Sequence, residues 1–251
     1  VKVQQLAELE EVIRYKQAES EQRLDTMANI KQTWSRRLQG IRKKVSVWRH
    51  ILSVRQLVIS PRDDIETWSR YANLCRKSGQ LELSARVLTR LLGHDPLDLA
   101  FNPNLTLPNQ HPQVTMTCLS HLWAAGYYRQ AIERISQLIA SQFFSSSQGT
   151  IKKVRGGHLN LLEVYKQTER ETQIRRLQSR CHLKRGNWEL ELFEMSRDNF
   201  DLEEDTRIPL EAKSLLMPST RDEKSYAATV QRVIESYQSA TRCDPRNQRA
   251  W

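Results

Sequence analysis

A tryptophan, a glycine and a proline at fixed intervals limit the folds open to this chain most strongly. Trp68 stands eleven residues before Gly79, which stands seventeen residues before Pro96. Apolar residues recur every three or four positions on both sides of the glycine. Glycine adopts the left-handed conformation that ends a helix, and proline cannot continue one. The segment therefore predicts two helices that are joined at Gly79, the second ending before Pro96.

This spacing is typical of tetratricopeptide repeats, which are 34-residue helix–turn–helix units. Such units carry an early aromatic residue, small residues where the helices cross, and a closing proline. The residues at these offsets are Trp68, Ala72, Gly79, Leu88 and Pro96. We expect residues 60–97 to form a clear TPR-like hairpin, with Ser60-Pro61 starting its first helix. We also expect Trp68 to pack against the preceding helices.

Looser versions of the same pattern occur along the chain and predict an all-α fold, an α-solenoid of TPR/HEAT-like helical hairpins. A stripe from Met27 to Leu52 is spaced like a coiled-coil seam, but Gly40 interrupts it, which favours separate packed helices. Gly126 and Gly186 are predicted to be hairpin glycines. The predicted segments are N-terminal hairpins at 1–59, a second hairpin at 113–140, a third at 159–195, an acidic and proline-containing loop at 196–220, and the start of a further repeat at 221–251. Residues 96–112, which hold four prolines, are predicted to be an extended connection.

The composition agrees with a helical protein and excludes few partners. The chain has 251 residues with only eight glycines and eight prolines, and its formal net charge is +10. That excess suits a polyanionic ligand or an acidic partner surface, and no aromatic-interleaved basic motif favours nucleic acid. No signal peptide or membrane-length apolar run is visible, so we expect reduced cysteines and a cytosolic location. Both ends fall in helical patterns, which suggests a piece of a longer polypeptide.

No motif of an active site or a metal site is present in the sequence. The glycine-rich phosphate-binding motifs and the kinase motifs are missing, and the four cysteines form no CxxC pair. Cys118 and His121 lie on one helical face, whereas Cys181 and His182 are neighbours that face apart. We interpret both pairs as structural, because a buried cysteine usually acts as a small apolar residue.

Basic residues on the predicted first helices of the repeats are the candidate binding residues. Arg70 and Lys77 are two turns apart on one helix, and Arg180 and Lys184 are one turn apart on another. Because the first helices line the inner surface of such solenoids, these side chains could converge on an anion. The simpler interpretation is a solvated helix face, balanced by Glu66, Glu169 and Glu171.

Several longer blocks resemble one family in the order in which they occur. They are LEEVIRYK at 9–16, LQGIRKKVSVWRHILSVR at 38–55, LVISPRDDIETW running on to Pro96, HPQVTMTCLSHLW at 111–123, and RCHLKRGNWEL at 180–190. Together they resemble the FAT domain of the target of rapamycin (TOR) serine/threonine protein kinases, members of the phosphatidylinositol-3-kinase-related family. The resemblance covers nearly the whole chain, except around Ser145 and Asp201.

The resemblance implies a non-catalytic solenoid that clamps and positions a kinase domain in nutrient-responsive growth signalling. Every catalytic residue, with ATP and Mg²⁺, would then lie outside these 251 residues, which use no cofactor in catalysis. Implied partners are the chain's own kinase domain in cis, a WD40-propeller subunit, and a Raptor- or Rictor-like scaffold in TORC1 or TORC2. The complex would be a dimer, cytoplasmic or peripheral on endomembranes.

The resemblance also implies inositol hexakisphosphate as a structural cofactor in a basic pocket. The residues at the family's basic positions are Lys43, Arg70, Lys77, Arg180, Lys184 and Arg249. Ser120 and Ala124 depart, because they stand where the family has lysines.

Two alternatives remain open at the level of the sequence. One is a free-standing TPR adaptor that binds an acidic peptide or a C-terminal carboxylate through Lys77. The other is an enzyme complete in itself, which the lack of catalytic motifs disfavours.

Overall fold

The computed structural model describes residues 2–102, 105, 111–141, 144, 161–198 and 223–247. All regular structure among these residues is helical, which confirms the predicted all-α class. The helices are α1 (Lys2–Ser20), α2 (Leu24–Gly40), α3 (Val45–Arg55), α4 (Ile65–Lys77), α5 (Leu81–Leu92), α6 (Asp98–Phe101), α7 (Pro112–Ala124), α8 (Tyr128–Ala140), α9 (Leu161–Asp198) and α10 (Glu223–Cys243). They form two compact units, residues 1–126 and 127–251.

In the first unit, α1 packs on both α2 and α3. Tyr15 of α1 stacks on Trp34 of α2, with their ring centroids 6.0 Å apart, in a cluster completed by Val12 and Ile59. The coiled-coil-like stripe therefore belongs to two short helices, because α2 ends at Gly40 and α3 starts at Val45.

A buried ion-pair network also joins these three helices. Glu8 of α1 is fully buried and accepts two hydrogen bonds from Arg55 of α3. Arg37 of α2 bridges Glu8 and Glu11, and Trp34 Nε1 donates to Glu11 at 2.6 Å. Buried charges are stabilising only when they are paired and hydrogen-bonded, and here each is. No sequence pattern indicates this network, because its members lie on three different helices.

Helices α4 and α5 pair around Gly79, whose φ of +75° is the left-handed conformation that glycine adopts most readily. Trp68 is only 6% exposed and packs in one core cluster with Trp48 of α3 and Leu88 of α5. The predicted helix start was early, since α4 begins at Ile65 and Asp64 is its N-cap, accepting from the Thr67 amide. Ser60 instead donates its hydroxyl to the Asp63 carboxylate in the turn before the helix.

Helix α7 packs on α4 and α5 and completes the described core of the first unit. Pro96 is buried, and its carbonyl accepts a weak hydrogen bond from the Cys118 thiol of α7 at 3.9 Å. The segment after Pro96 is not simply extended, because residues Asp98–Phe101 form the short helix α6 with Leu99 fully buried. Burial of Leu99 in the core therefore outweighs the preference of the nearby prolines for an extended backbone.

In the second unit, α9 packs on α8 and α10. The hairpin predicted at Gly186 is wrong, because α9 runs unbroken through this residue as a 38-residue helix. A Cβ on Gly186 would lie 3.1 Å from Ser236 Cβ and 3.4 Å from the Tyr237 ring of α10. The glycine therefore allows α10 to approach α9 closely rather than making a turn.

Polar contacts fix the pairing of α9 and α10. Ser179 donates to the Ala240 carbonyl at 2.8 Å, and Arg185 donates to Ser236 Oγ at 3.0 Å. Because a later residue of α9 contacts an earlier residue of α10, the two helices run antiparallel. The region predicted as 221–251 contributes this one long helix, whereas most of the predicted 196–220 loop lies outside the described residues.

Candidate functional site

The predicted anion-binding residues divide between the two units. Lys43, Arg70 and Lys77 are exposed side chains of the first unit, while Arg180 and Lys184 lie on α9 of the second. Arg249 is outside the described residues. The structure therefore brings Arg70 and Lys77 together on α4, and Arg180 and Lys184 together on α9. The convergence of all six remains a prediction.

On α4, Arg70 and Lys77 lie seven residues apart on the solvent side of the helix. Arg70 already has a partner, because its guanidinium is 2.5 Å from the Glu66 carboxylate. Exposed pairs of this kind contribute about 0–1 kcal/mol, so an anion would compete with Glu66 at little cost. Lys77 is in the last turn, where a cation also complements the helix dipole.

On α9, the two basic side chains differ in environment. Arg180 is exposed, whereas Lys184 is half-buried with its Nζ 5.1 Å from the centre of the Trp188 ring. A cation over an aromatic face is stabilised by the negative face of the ring. The tryptophan thus holds the Lys184 ammonium in place. The contact is possible because residues four apart on a helix lie on the same face.

A further basic residue of α4, Arg76, was not among the predicted site residues. It is half-buried, and burial alone lowers its pKa from the ordinary value. Its Nη2 is 3.5 Å from Asn73 Oδ1, at the outer limit of a hydrogen bond, and Asn73 in turn donates to Thr117 Oγ1 of α7 at 2.9 Å. The signal in the sequence was the Arg-Lys pair of LCRKSG, of which only the lysine fitted the family pattern.

The side of α7 that meets Arg76 carries no charge near neutral pH. Ser120 is buried and donates its hydroxyl to the Met116 carbonyl at 2.7 Å, and Ala124 is exposed. His121 is buried, which lowers its pKa, and the charge of Arg76 lowers it further against the opposing effect of Asp95. The two departures from the family pattern therefore leave α7 without the cations expected there.

Two buried cysteines and a buried histidine of the described residues have shifted pKa values. Burial raises the pKa of the Cys118 and Cys181 thiols to about 12, so both are protonated at neutral pH. Burial and, to a lesser extent, Arg185 lower the pKa of His182 to about 4. None of the four cysteines forms a disulfide bond, and the described ranges contain no group of three side chains able to hold a metal ion.

Comparison with known proteins identifies the family of this chain. The family model described as the FAT domain matches residues 1–251. The chain belongs to the FAT domain family. This FAT chain is 33% identical over 250 residues to the Serine/threonine-protein kinase mTor of Drosophila melanogaster, covering 99% of the chain and 8% of that protein.

Two fungal proteins are similar to the same FAT chain. Serine/threonine-protein kinase tor1 of Schizosaccharomyces pombe is 36% identical over 193 residues, which is 76% of the chain and 8% of the kinase. Serine/threonine-protein kinase TOR2 of Saccharomyces cerevisiae is 34% identical over 192 residues, which is 75% of the chain and 7% of the kinase. The FAT chain thus spans less than a tenth of each of these relatives. In its described part, no helix is both long and apolar enough to cross a membrane.

Proposed function

We propose that this chain is the FAT segment of a TOR-like serine/threonine kinase and that it clamps and positions the kinase domain without taking part in catalysis. The observation that carries the proposal is the FAT match over all 251 residues, together with TOR kinases as relatives. A scaffold role agrees with the shared apolar core of α3, α4 and α5 in the first unit.

The proposal extends to the assembly around the chain. In it, the kinase domain follows in cis and holds ATP and Mg²⁺, while a WD40-propeller subunit and a Raptor- or Rictor-like scaffold bind elsewhere on a dimeric complex. The complex is cytoplasmic or peripheral on endomembranes, as TORC1 or TORC2. These partners come from the family alone, and co-purification with the full-length polypeptide is the measurement that checks them.

The scaffold role is tested by loosening the helical core of this chain. In the full-length polypeptide, Trp68→Ala removes a buried side chain from the core between α3, α4 and α5. Turnover of a serine peptide should fall, while the KM for ATP should hold because the nucleotide binds to the kinase domain. Leu57→Ala, at a side chain that is 61% exposed, is the matched control. Unchanged turnover in a Trp68 variant whose α4 amides exchange faster would contradict positioning through this chain.

The same scaffold is proposed to hold inositol hexakisphosphate through Lys43, Arg70, Lys77, Arg180, Lys184 and Arg249. Each unit supplies candidate donors for this ligand, the exposed Arg70 and Lys77 of α4 and the ring-held ammonium of Lys184, because guanidinium and ammonium groups bind phosphate oxygens. Isothermal titration of the full-length polypeptide at low salt is the direct test. Lys77→Glu and Lys184→Glu should each weaken binding, since each adds repulsion to the loss of a donor. Absence of heat from a folded sample would contradict the ligand, and binding of an acidic peptide instead would favour the adaptor alternative.

A further inference from the structure

The contact between α4 and α7 in the first unit contains buried and half-buried polar side chains, which an apolar core does not require. We name it the α4–α7 seam and define it by Ser69, Asn73, Arg76, Thr117 and His121. The α4 members recur at steps of four and three residues and so lie on one face, and the 2.9 Å hydrogen bond from Asn73 to Thr117 shows that this face meets α7. The two helices run parallel here, because Asn73 meets Thr117 and the charge of Arg76 acts on His121 four residues later.

Three atoms of the seam are buried without a hydrogen-bond partner among the described residues. They are Ser69 Oγ, Arg76 Nε and His121 Nδ1. Most buried polar atoms of folded proteins are paired, and an unpaired donor on a cation is the costliest exception, because the charge is also partly desolvated. Arg76 is therefore the member that calls for a ligand or partner.

Arg76 has no carboxylate partner within the part of the chain that the structure describes. Its pKa is lowered by burial, with no acidic side chain raising it. The contrast with the other half-buried arginine of this unit is direct, since Arg37 pairs with Glu8 and Glu11 and its pKa is raised. Asp95 acts on His121 and Cys118 rather than on Arg76.

The end of the seam at Arg76 is open to solvent. Lys77 follows Arg76 on α4 and is exposed, and Ala124 on α7, one turn beyond His121, is exposed as well. The carboxyl ends of two parallel helices carry partial negative charge, which alone would repel an anion. Arg76 and Lys77 in the last turn of α4 offset that charge and present a planar donor beside an ammonium group, a pair well suited to phosphate oxygens.

We propose that Arg76 is an anion-binding residue of this chain that contacts a phosphate group of the bound polyanion at the open end of the α4–α7 seam, next to Lys77. The proposal rests on the proposed function for the class of ligand, an organic polyphosphate. It adds a cation where Ser120 and Ala124 leave α7 uncharged.

The test is titration of the full-length polypeptide with inositol hexakisphosphate at low salt. Arg76→Leu should weaken binding about 10- to 100-fold, the loss expected for hydrogen bonds to a charged group. Arg86→Leu is the matched control, because this arginine is exposed on α5 and pairs with Glu82 on the same helix. It should bind like the parent. A parallel titration with inorganic phosphate, at the same total phosphate concentration, shows whether the site requires a polyphosphate or binds any single phosphate anion.

Thermal unfolding distinguishes a binding role from a structural one. Without ligand, Arg76→Leu should melt at or above the temperature of the parent, because the variant removes a half-buried charge without a partner. With ligand, the upward shift shown by the parent should largely disappear. A ligand-free variant that melts well below the parent would show that Arg76 instead stabilises the helix ends, and would overturn the proposal.

The two proposals fail in different ways. If the parent and Arg76→Leu bind equally while Lys77→Ala binds more weakly, the polyanion function stands and the assignment of Arg76 is wrong. If the parent gives no binding to inositol hexakisphosphate, both are wrong.

Discussion

The carboxylate of Glu8 and the guanidinium of Arg55 form a buried, two-pronged ion pair between α1 and α3. Glu8 Oε2 is 2.6 Å from Arg55 Nε, and Glu8 Oε1 is 2.8 Å from Nη2. Arg55 also lies over the Trp34 ring, 5.1 Å from its centre, and donates to the Trp34 carbonyl. One carboxylate therefore fixes three helices, and its removal leaves a buried cation uncompensated.

Replacing Glu8 is expected to destabilise the first unit strongly. Glu8→Gln should lower the free energy of unfolding by about 3–5 kcal/mol, because breaking a buried pair leaves the other charge unpaired. Urea unfolding followed by tryptophan fluorescence measures this. Glu10→Gln, which loses an exposed pair with Arg14, is the control and should cost less than about 1 kcal/mol. Equal effects of the two variants would refute a buried network.

Truncating the tryptophan of the repeat should open a cavity in the core. We expect Trp68→Ala to lower the free energy of unfolding by about 3–5 kcal/mol, because the side chain is 6% exposed and packs between three helices. Leu57→Ala, at an exposed position, should stay within about 0.5 kcal/mol of the parent. The same urea titration measures both, and a small effect at Trp68 would argue against helix stacking there.

A methyl group at Gly186 should separate α9 from α10. Gly186→Ala places a Cβ 3.1 Å from Ser236 Cβ, tighter than most carbon–carbon contacts, so α10 must move slightly; the change should cost about 1–3 kcal/mol despite the higher helix propensity of alanine. Gly40→Ala is the matched control, because no atom lies within 4 Å of its added Cβ. It should be neutral or stabilising by up to about 1 kcal/mol. A stabilising Gly186→Ala would show that α10 yields to the added methyl group, and would contradict a tight contact there.

The buried imidazole of His182 should make stability fall in mild acid. Its pKa is lowered to about 4, while in the unfolded chain it returns to an ordinary value of about 6.5. Between these values the unfolded state binds more protons, so stability decreases as the pH falls from 6.5 to 4, by up to about 3 kcal/mol.

The difference between His182→Phe and the parent isolates this effect from the titration of carboxylates. Unfolding measured at pH 7, 6, 5 and 4 should show a shallower decline for the variant. His50→Phe, at an exposed position of α3, should decline like the parent. Parallel curves for all three proteins would place the His182 pKa at its ordinary value.

Local patterns predicted the helices of the first unit well and the connections less well. The Trp68 to Pro96 spacing identified α4, α5 and the turn at Gly79, because turn chemistry and helix periodicity both act over short distances. The start of α4 was misplaced by four residues, because Ser60 and Asp64 are both competent caps and only the tertiary packing selects between them.

The largest error was the hairpin predicted at Gly186, because glycine can either end a helix or allow two helices to pack closely. Gly79 and Gly126 have positive φ angles at helix ends, whereas Gly186 is an ordinary helical residue kept small by its neighbours. Its neighbours are some fifty residues away in sequence, and a local pattern holds no information about them.

The same limit applies to the candidate site. Resemblance selected Lys77, but only the structure showed that the adjacent Arg76 is half-buried without a carboxylate partner among the described residues. The buried pairing of Glu8 with Arg55 was likewise invisible, since a glutamate on an amphipathic helix is exposed far more often than buried.

Because α9 is unbroken, it forms one long and continuous helix. At 1.5 Å per residue, 38 helical residues extend about 57 Å, so a tilt of about 5° at one end sweeps the other through about 5 Å. A hairpin at Gly186 would have shortened that lever by about a third, since it lies two-thirds of the way along the helix. A partner that binds at one end of α9 can therefore displace the other end by tilting the helix, and no hydrogen bond within the helix has to break.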